Sequence, residues 1–237
     1  MTAQELFADI RQYCEIHADP MSVKKYSRYF KEGYDAYGLT SELLTSKTSS
    51  LIQNEKVTFE LVTKTGNYLI RTGKYEETSF AYTLMKEFTS QFSYDTFGII
   101  SDWFDNGIIN WAHSDIICGD LIAYLLKKSI INLEDLSSWK TSERKYKRRA
   151  VPVSMLSLLP LRDDYSGLFK FIDPMMKDPE RVVHQGLGWF LREAWKKKPG
   201  ETETFLVKWK DHAPRLIFQY ATEKMDKQQK QRFRKQK

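Results

Sequence analysis

The stretch 80–92, FAYTLMKEFTSQF, sets Phe80, Leu84, Phe88 and Phe92 four residues apart. That spacing returns each side chain to one face of an α-helix, whereas a strand would place successive side chains on opposite faces. Leu6, Ile10 and Tyr13 (then His17) follow the same rule, as do Tyr26, Tyr29, Phe30 and Tyr34, and again Leu121, Ile122, Leu125 and Leu126. Turn signals recur between such stretches: Asp19-Pro20, Gly38, Gly66, Gly73, Asn106-Gly107, Asp173-Pro174, Asp178-Pro179 and Pro199-Gly200. They delimit segments of roughly 12–20 residues, a usual helix length. The nearest approach to an alternating strand, Val57–Leu61, is too short to carry a sheet. The reading is all-α.

Many helices joined by short turns suggest either stacked helical pairs or a bundle. The pairs 120–138 with 142–160, and 164–177 with 180–197, have about the ~40-residue spacing of a HEAT-like repeat. No strict internal period is present, so periodicity alone leaves a HEAT-like solenoid and a helical bundle as alternatives.

With 237 residues, 41% hydrophobic and 29% charged, the chain has the composition of a soluble globular protein with a sizeable core. Met1–Ile10 lacks a basic start followed by an apolar run, so no signal peptide is expected. Val151–Leu161 is interrupted by Pro152, Ser154, Ser157 and Pro160 and is too short for a membrane span. Cys14 and Cys118 form no disulfide framework and no zinc-type pair, and a cytoplasmic location is the default expectation. The net charge of +6 is unevenly placed: Lys140–Arg149 carries +5 and Glu223–Lys237 another +5, leaving −4 for the rest. Basic patches of this kind suit a phosphate-contacting protein, although a basic end such as 223–237 is equally a solvated tail. The expected organisation is one α-helical domain over 1–222 followed by that tail.

Neither a phosphate-binding glycine loop ending in Lys-Ser/Thr nor a GxGxxG turn is present. His17, His113, His184 and His212 lack metal-ligand spacing and are expected to be structural or surface groups; no metal is expected. Within a helix predicted over about 107–127, Trp111 and Asp115 are one turn apart on a stripe shared with Ile108, Cys118 and Ile122. A carboxylate on an apolar stripe has either a chemical role or a structural partner. In the helix predicted over 178–198, Val183, Leu187, Phe190, Leu191 and Ala194 make the apolar face. Trp189 falls instead with Gln185, Arg192 and Lys196, either facing a ligand or packed against the next repeat. Gly186 and Gly188 beside it permit close approach of a helix or of a ligand. Ser142 is positioned to cap a helix running through Lys145, Lys147, Arg148 and Arg149, with Pro152 placed to kink it.

Together these residues resemble the AlkD-type DNA alkylation repair family. The matching segments are Asn-Trp111-Ala-His-Ser-Asp115, Lys-Arg-Arg149-Ala-Val and Gly-Leu-Gly-Trp189-Phe-Leu-Arg192-Glu193. Arg-Tyr-Phe-Lys31, followed by Tyr-Gly38, is similar to the family's opening helix and turn. The resemblance spans about 20–220, with Ala112 standing where many members carry an acidic residue. It implies a HEAT-like, ARM-type superhelix with a concave basic channel. It also implies a glycosylase that hydrolyses the N-glycosidic bond of cationic methylated purines in duplex DNA, acting in base excision repair without metal or redox cofactor; from the sequence itself a monomer is the default expectation, and no membrane partner is expected. Asp115, Trp111, Trp189 and Arg149 would form the catalytic group. Arg148, Lys147, Lys145, Arg192, Lys196 and Lys31 would hold DNA. Two alternatives accompany it: a catalytically silent relative that binds distorted or branched DNA, and a helical-repeat scaffold for protein partners.

Overall fold

The structure, a computed structural model, describes residues 1–234. It is all helix and turn, with no strand among the described residues. The chain divides into two compact units, one ending at His113 and the other beginning at Ser114.

The first unit contains α1 (Ala3–Ile16), α2 (Pro20–Ser27), α3 (Ser41–Ile52), α4 (Phe59–Arg71), α5 (Tyr75–Lys86) and α6 (Tyr94–Asn106). Their starts follow local chemistry. Thr2 and Glu5 close a capping box on α1, Asp19 caps α2 just before Pro20, and Thr40 and Thr58 cap α3 and α4. Each such cap contributes about 1 kcal/mol by satisfying a backbone N–H that the helix leaves free. The α1 stripe of Leu6, Ile10 and Cys14 is completely buried and packs on α4 and α5. Each fully buried Leu or Ile contributes roughly 1.5–3 kcal/mol.

Three expectations change here. Gly66 does not mark a turn but lies inside α4, where a Cβ would come within 2.6 Å of the Trp103 ring. The missing side chain lets that indole lie against α4, and its Nε1 donates to Asn67 Oδ1 at 2.7 Å. The aromatic stripe of 80–92 outruns its helix: α5 stops at Lys86, and Phe88 and Phe92 both turn back onto Phe59. Likewise α2 stops at Ser27, so Phe30 and Tyr34 stand on a non-helical segment. That segment is tied down by two consecutive carboxylates of α5. Glu76 accepts the N–H groups of Tyr37, Gly38 and Leu39 at 2.8, 2.7 and 3.1 Å. Glu77 accepts from Arg11 Nε and Nη2 at 2.9 and 3.2 Å and from the Tyr37 hydroxyl at 2.8 Å. Gly38 has a φ of +91°, a left-handed conformation that places its N–H on Glu76 and that other residues adopt with strain.

A helix α7 (Trp111–Ile117) runs from the first unit into the second. It continues through a π-helical turn, Cys118–Ile122, into α8 (Ala123–Lys127). The 107–127 helix is therefore helical from Trp111, with a widened turn inside it. After a 3₁₀ segment over Leu133–Thr141 come α9 (Lys145–Met155), α10 (Ser166–Ile172), α11 (Arg181–Lys197), α12 (Pro199–Trp209), α13 (Arg215–Ala221) and α14 (Lys227–Gln231). Ser142 ends the 3₁₀ segment rather than capping α9. Its hydroxyl accepts the Arg144 N–H at 3.1 Å, and α9 begins without a side-chain cap. Pro152 lies inside α9, as expected.

The core of the second unit forms around α11, whose Val183, Leu187, Phe190, Leu191 and Ala194 are all completely buried. Its two glycines serve neighbouring helices. A Cβ on Gly186 would meet Arg149 Cγ at 3.3 Å, and one on Gly188 would lie 2.4 Å from Tyr220 Cβ. In the basic segment from Glu223 onward, α14 forms and Phe233 is buried, its carbonyl accepting from Arg215 Nη1 at 2.8 Å. The part of the expected tail over 235–237 lies outside the described residues.

Candidate active site

In the second unit, Asp115 of α7 faces Arg149 of α9. Arg149 Nε and Nη2 donate to Asp115 Oδ1 and Oδ2 at 2.8 and 2.7 Å, a two-point contact that fixes the plane of the carboxylate. Arg149 Nη1 donates at 2.7 Å to the Val182 carbonyl at the start of α11. One guanidinium thus joins α7, α9 and α11. The Arg149 side chain is 7% exposed and that of Asp115 15%, so the pair is largely enclosed and the acid is the more accessible partner. Removing one partner of so enclosed a pair costs about 3–5 kcal/mol.

One turn further, at the start of the π-helical turn, Cys118 donates its S–H to the Ala150 carbonyl at 3.6 Å. Burial pushes its thiol up to about 12, with the nearby Asp115 charge adding to the effect. A thiol held neutral in this way is not a nucleophile.

The basic residues of α9 and α11 differ in what they can reach. Arg148 is committed to structure: it donates to Asp178 at 2.6 and 3.4 Å and to the carbonyls of Ser142 and Glu143 at 2.6 and 3.2 Å. Lys147 is buried, with its ammonium 5.3 Å from the centre of the Trp139 ring. Lys145 is half-buried against Tyr146. On α11, Arg192 pairs with Glu193 and Glu223, and exposed Lys196 pairs with Glu193. Trp189 is half-buried on the same helix, near Gln185, which donates to the Tyr220 hydroxyl at 2.9 Å.

In the first unit, Trp111 opens α7 and is 42% exposed. Its Nε1 donates to the Tyr29 carbonyl at 3.3 Å. Its ring lies near-parallel to Phe30, 5.8 Å away at 15°, and Phe30 stacks in turn on Tyr34 at 4.6 Å and 10°. Tyr75 meets both Phe30 and Tyr34 edge-on. Lys31, which follows Phe30, is exposed. His113 is buried against Tyr75, and the Asn110 amide donates to its Nδ1 at 2.9 Å. That contact leaves the ring proton on Nε2, facing Ser79 Oγ. Burial lowers the imidazole to about 3, so His113 is a neutral structural group. His184 is buried as well, with Nε2 against the Asp178 carbonyl. Among the described residues no three His, Cys, Asp or Glu side chains cluster to hold a metal, and no helix is long and apolar enough to cross a membrane.

Sequence reasoning missed Glu76 and Glu77, and it missed Tyr75 as a partner of the Phe30 and Tyr34 rings. Two acids in the first turn of a helix read as a solvated start, and nothing local signals that a distant segment folds onto them.

The sequence profile of the family described as DNA alkylation repair enzyme matches residues 10–225. The chain belongs to that family. A solved structure described as a predicted DNA alkylation repair enzyme from Enterococcus faecalis superposes with a TM-score of 0.76 at 16% identity. The match covers 89% of this chain and 98% of that one. At that identity the likeness is one of fold. No curated protein matches the sequence. Membership of a DNA repair family implies DNA as the substrate.

Proposed function

We propose that this member of the DNA alkylation repair family is a monofunctional glycosylase acting on cationic methylated purines in duplex DNA. The observation that carries the reading is the Asp115 carboxylate, oriented at two points by a buried arginine and itself only partly buried. An alkylated purine bears a positive charge and leaves the sugar without a strong general acid. As the bond from C1′ to the ring nitrogen breaks, its electron pair neutralises the base and positive charge develops on the sugar. Asp115 stabilises that charge and orients the water whose oxygen bonds to C1′, the water proton passing to solvent. Trp111 and Trp189 press on the lesioned nucleotide, with cation–π attraction favouring a charged base.

In this reading the helical pairs stack as a HEAT-like solenoid whose concave basic channel takes the duplex. Lys31, Lys145, Arg192 and Lys196 meet phosphates, giving salt-dependent and sequence-tolerant affinity. Arg149 acts through Asp115, and Arg148 and Lys147 shape the wall behind them.

A second reading follows from the same pair. Both carboxylate oxygens are engaged by Arg149, as in a purely structural bridge, which suits a relative that binds DNA without cutting the glycosidic bond. Incubation of the protein with methylated duplex DNA, followed by chromatography of free bases, separates the two. Methylated purines in the soluble fraction support the glycosylase. Tight, salt-sensitive DNA binding with no released base supports the silent binder.

A further inference from the structure

Gly66, Gly186 and Gly188 lie inside helices for a packing reason: a Cβ on any of them would fall within 3.3 Å of a side-chain atom of a neighbouring helix. Gly119 has no such reason. It is exposed, and its φ lies outside the left-handed region. Apart from adjacent residues and the helix's own backbone, a Cβ there would have nothing within 4 Å. Glycine weakens a helix interior relative to alanine, so neither packing nor backbone conformation explains its presence.

The turn that holds Gly119 is unusual in a second way. Cys118–Ile122 is the π-helical turn between α7 and α8, closed by the Ala123 N–H donating to the Cys118 carbonyl. Such turns are rare within α-helices and frequently lie at functional sites.

The two features meet one turn after Asp115. Residues four apart share a helix face, with Cβ atoms about 5–6 Å apart, and each Cα–Cβ bond tilts toward the helix N-terminus. A side chain at position 119 would therefore lean over the turn that carries Asp115. With glycine there, the carboxylate is approached along bare backbone. From the other side it is closed off by Arg149, which grips both of its oxygens and is itself held on the Val182 carbonyl.

We propose that Gly119 and its π-helical turn are a landing surface for the sugar–phosphate strand of the damaged DNA, keeping clear the path by which a deoxyribose reaches Asp115. A sugar as the group that arrives rests on the glycosylase reading; the clear path rests on Gly119 and the turn. Gly119 is a positioning residue: it acts by the space it leaves, and none of its atoms takes part in the reaction.

The test compares Gly119→Ala with Gly98→Ala in the whole protein. Gly98 is likewise exposed inside a helix, α6, and a Cβ on it would likewise have nothing within 4 Å. Both substitutions should raise the melting temperature by about 2 °C. Only Gly119→Ala should slow release of methylated purines from duplex DNA, by about tenfold, and the longer side chain of Gly119→Leu should slow it by about 100-fold. A role in holding the helix together would move stability and release in the same direction; the landing surface moves them in opposite directions. Release by Gly119→Leu at the wild-type rate would overturn the proposal and leave the glycosylase standing. So would a Gly119→Ala protein that loses melting temperature and release together. If the wild type binds duplex DNA but releases no base, weaker binding by Gly119→Leu keeps the landing surface and removes the glycosylase. Unchanged binding in that case removes both.

Discussion

Both units place carboxylates away from bulk water, but they use them differently. In the first, Glu76 and Glu77 are essentially inaccessible and surrounded by structural donors: three backbone N–H groups on one, a guanidinium and a phenol on the other. Burial alone would raise the Glu77 carboxyl, but hydrogen bonds from Arg11, Thr72 and Tyr37 bring it below its ordinary value. In the second, Asp115 has one donor group, Arg149, and its side chain keeps 15% of its accessible surface. An acid saturated with fixed donors is a fastener. An acid oriented from behind and open in front can meet a charge that arises during a reaction.

The largest expected effect lies on the fastening side. Glu77→Ala would leave the Arg11 guanidinium and the Tyr37 hydroxyl without their acceptor and should cost about 3–5 kcal/mol in urea unfolding. If the comparison holds, base release per folded molecule stays near wild type at low temperature. Second comes pH. His113 is near 3 folded and 6.5 unfolded, so the unfolded chain binds more protons between those values and stability falls as pH drops through that window. Its slope is about 1.4 kcal/mol per pH unit. Denaturation midpoints at neutral and mildly acid pH should diverge in the wild type and converge in His113→Asn.

Arg149→Lys isolates the orientation of the second unit's carboxylate. It keeps the positive charge but loses the fork that sets the carboxylate plane, and base release should fall about tenfold for a misoriented acid. An unchanged rate would mean that orientation by Arg149 is unimportant. The smallest effect concerns DNA affinity: Lys196→Ala should lower the slope of log affinity against log salt by about 1. Lys147→Ala should lower the melting temperature and leave that slope unchanged, because Lys147 is buried against Trp139.

The helices were legible wherever an apolar period coincided with burial, as along α1 and α11. The period failed as a guide to helix ends at Phe88 and at Tyr34, because an aromatic ring can return to the core from a turn as readily as from a helix. Gly66 was misread for a related reason, since a glycine can mark close approach to an indole, as it does against Trp103, as well as a bend. At the candidate site, the Trp111–Asp115 spacing and Arg149 stood out in the sequence. That Arg149 grips Asp115 at two points did not, because the residues are far apart in the chain. Arg148 and Arg149 are adjacent and alike on paper, yet they point to different partners, Asp178 and Asp115.

In the proposed reaction the Asp115 carboxylate does chemistry that Glu76 and Glu77, saturated with fixed donors, cannot do. The direct measurement is single-turnover release of methylated purines from duplex DNA by wild type and Asp115→Asn, with DNA affinity and melting temperature recorded for both. A loss of about 100-fold or more in rate, with DNA affinity nearly retained, is the expected result. Release by Asp115→Asn at the wild-type rate would contradict it and return Asp115 to the role of a fastener.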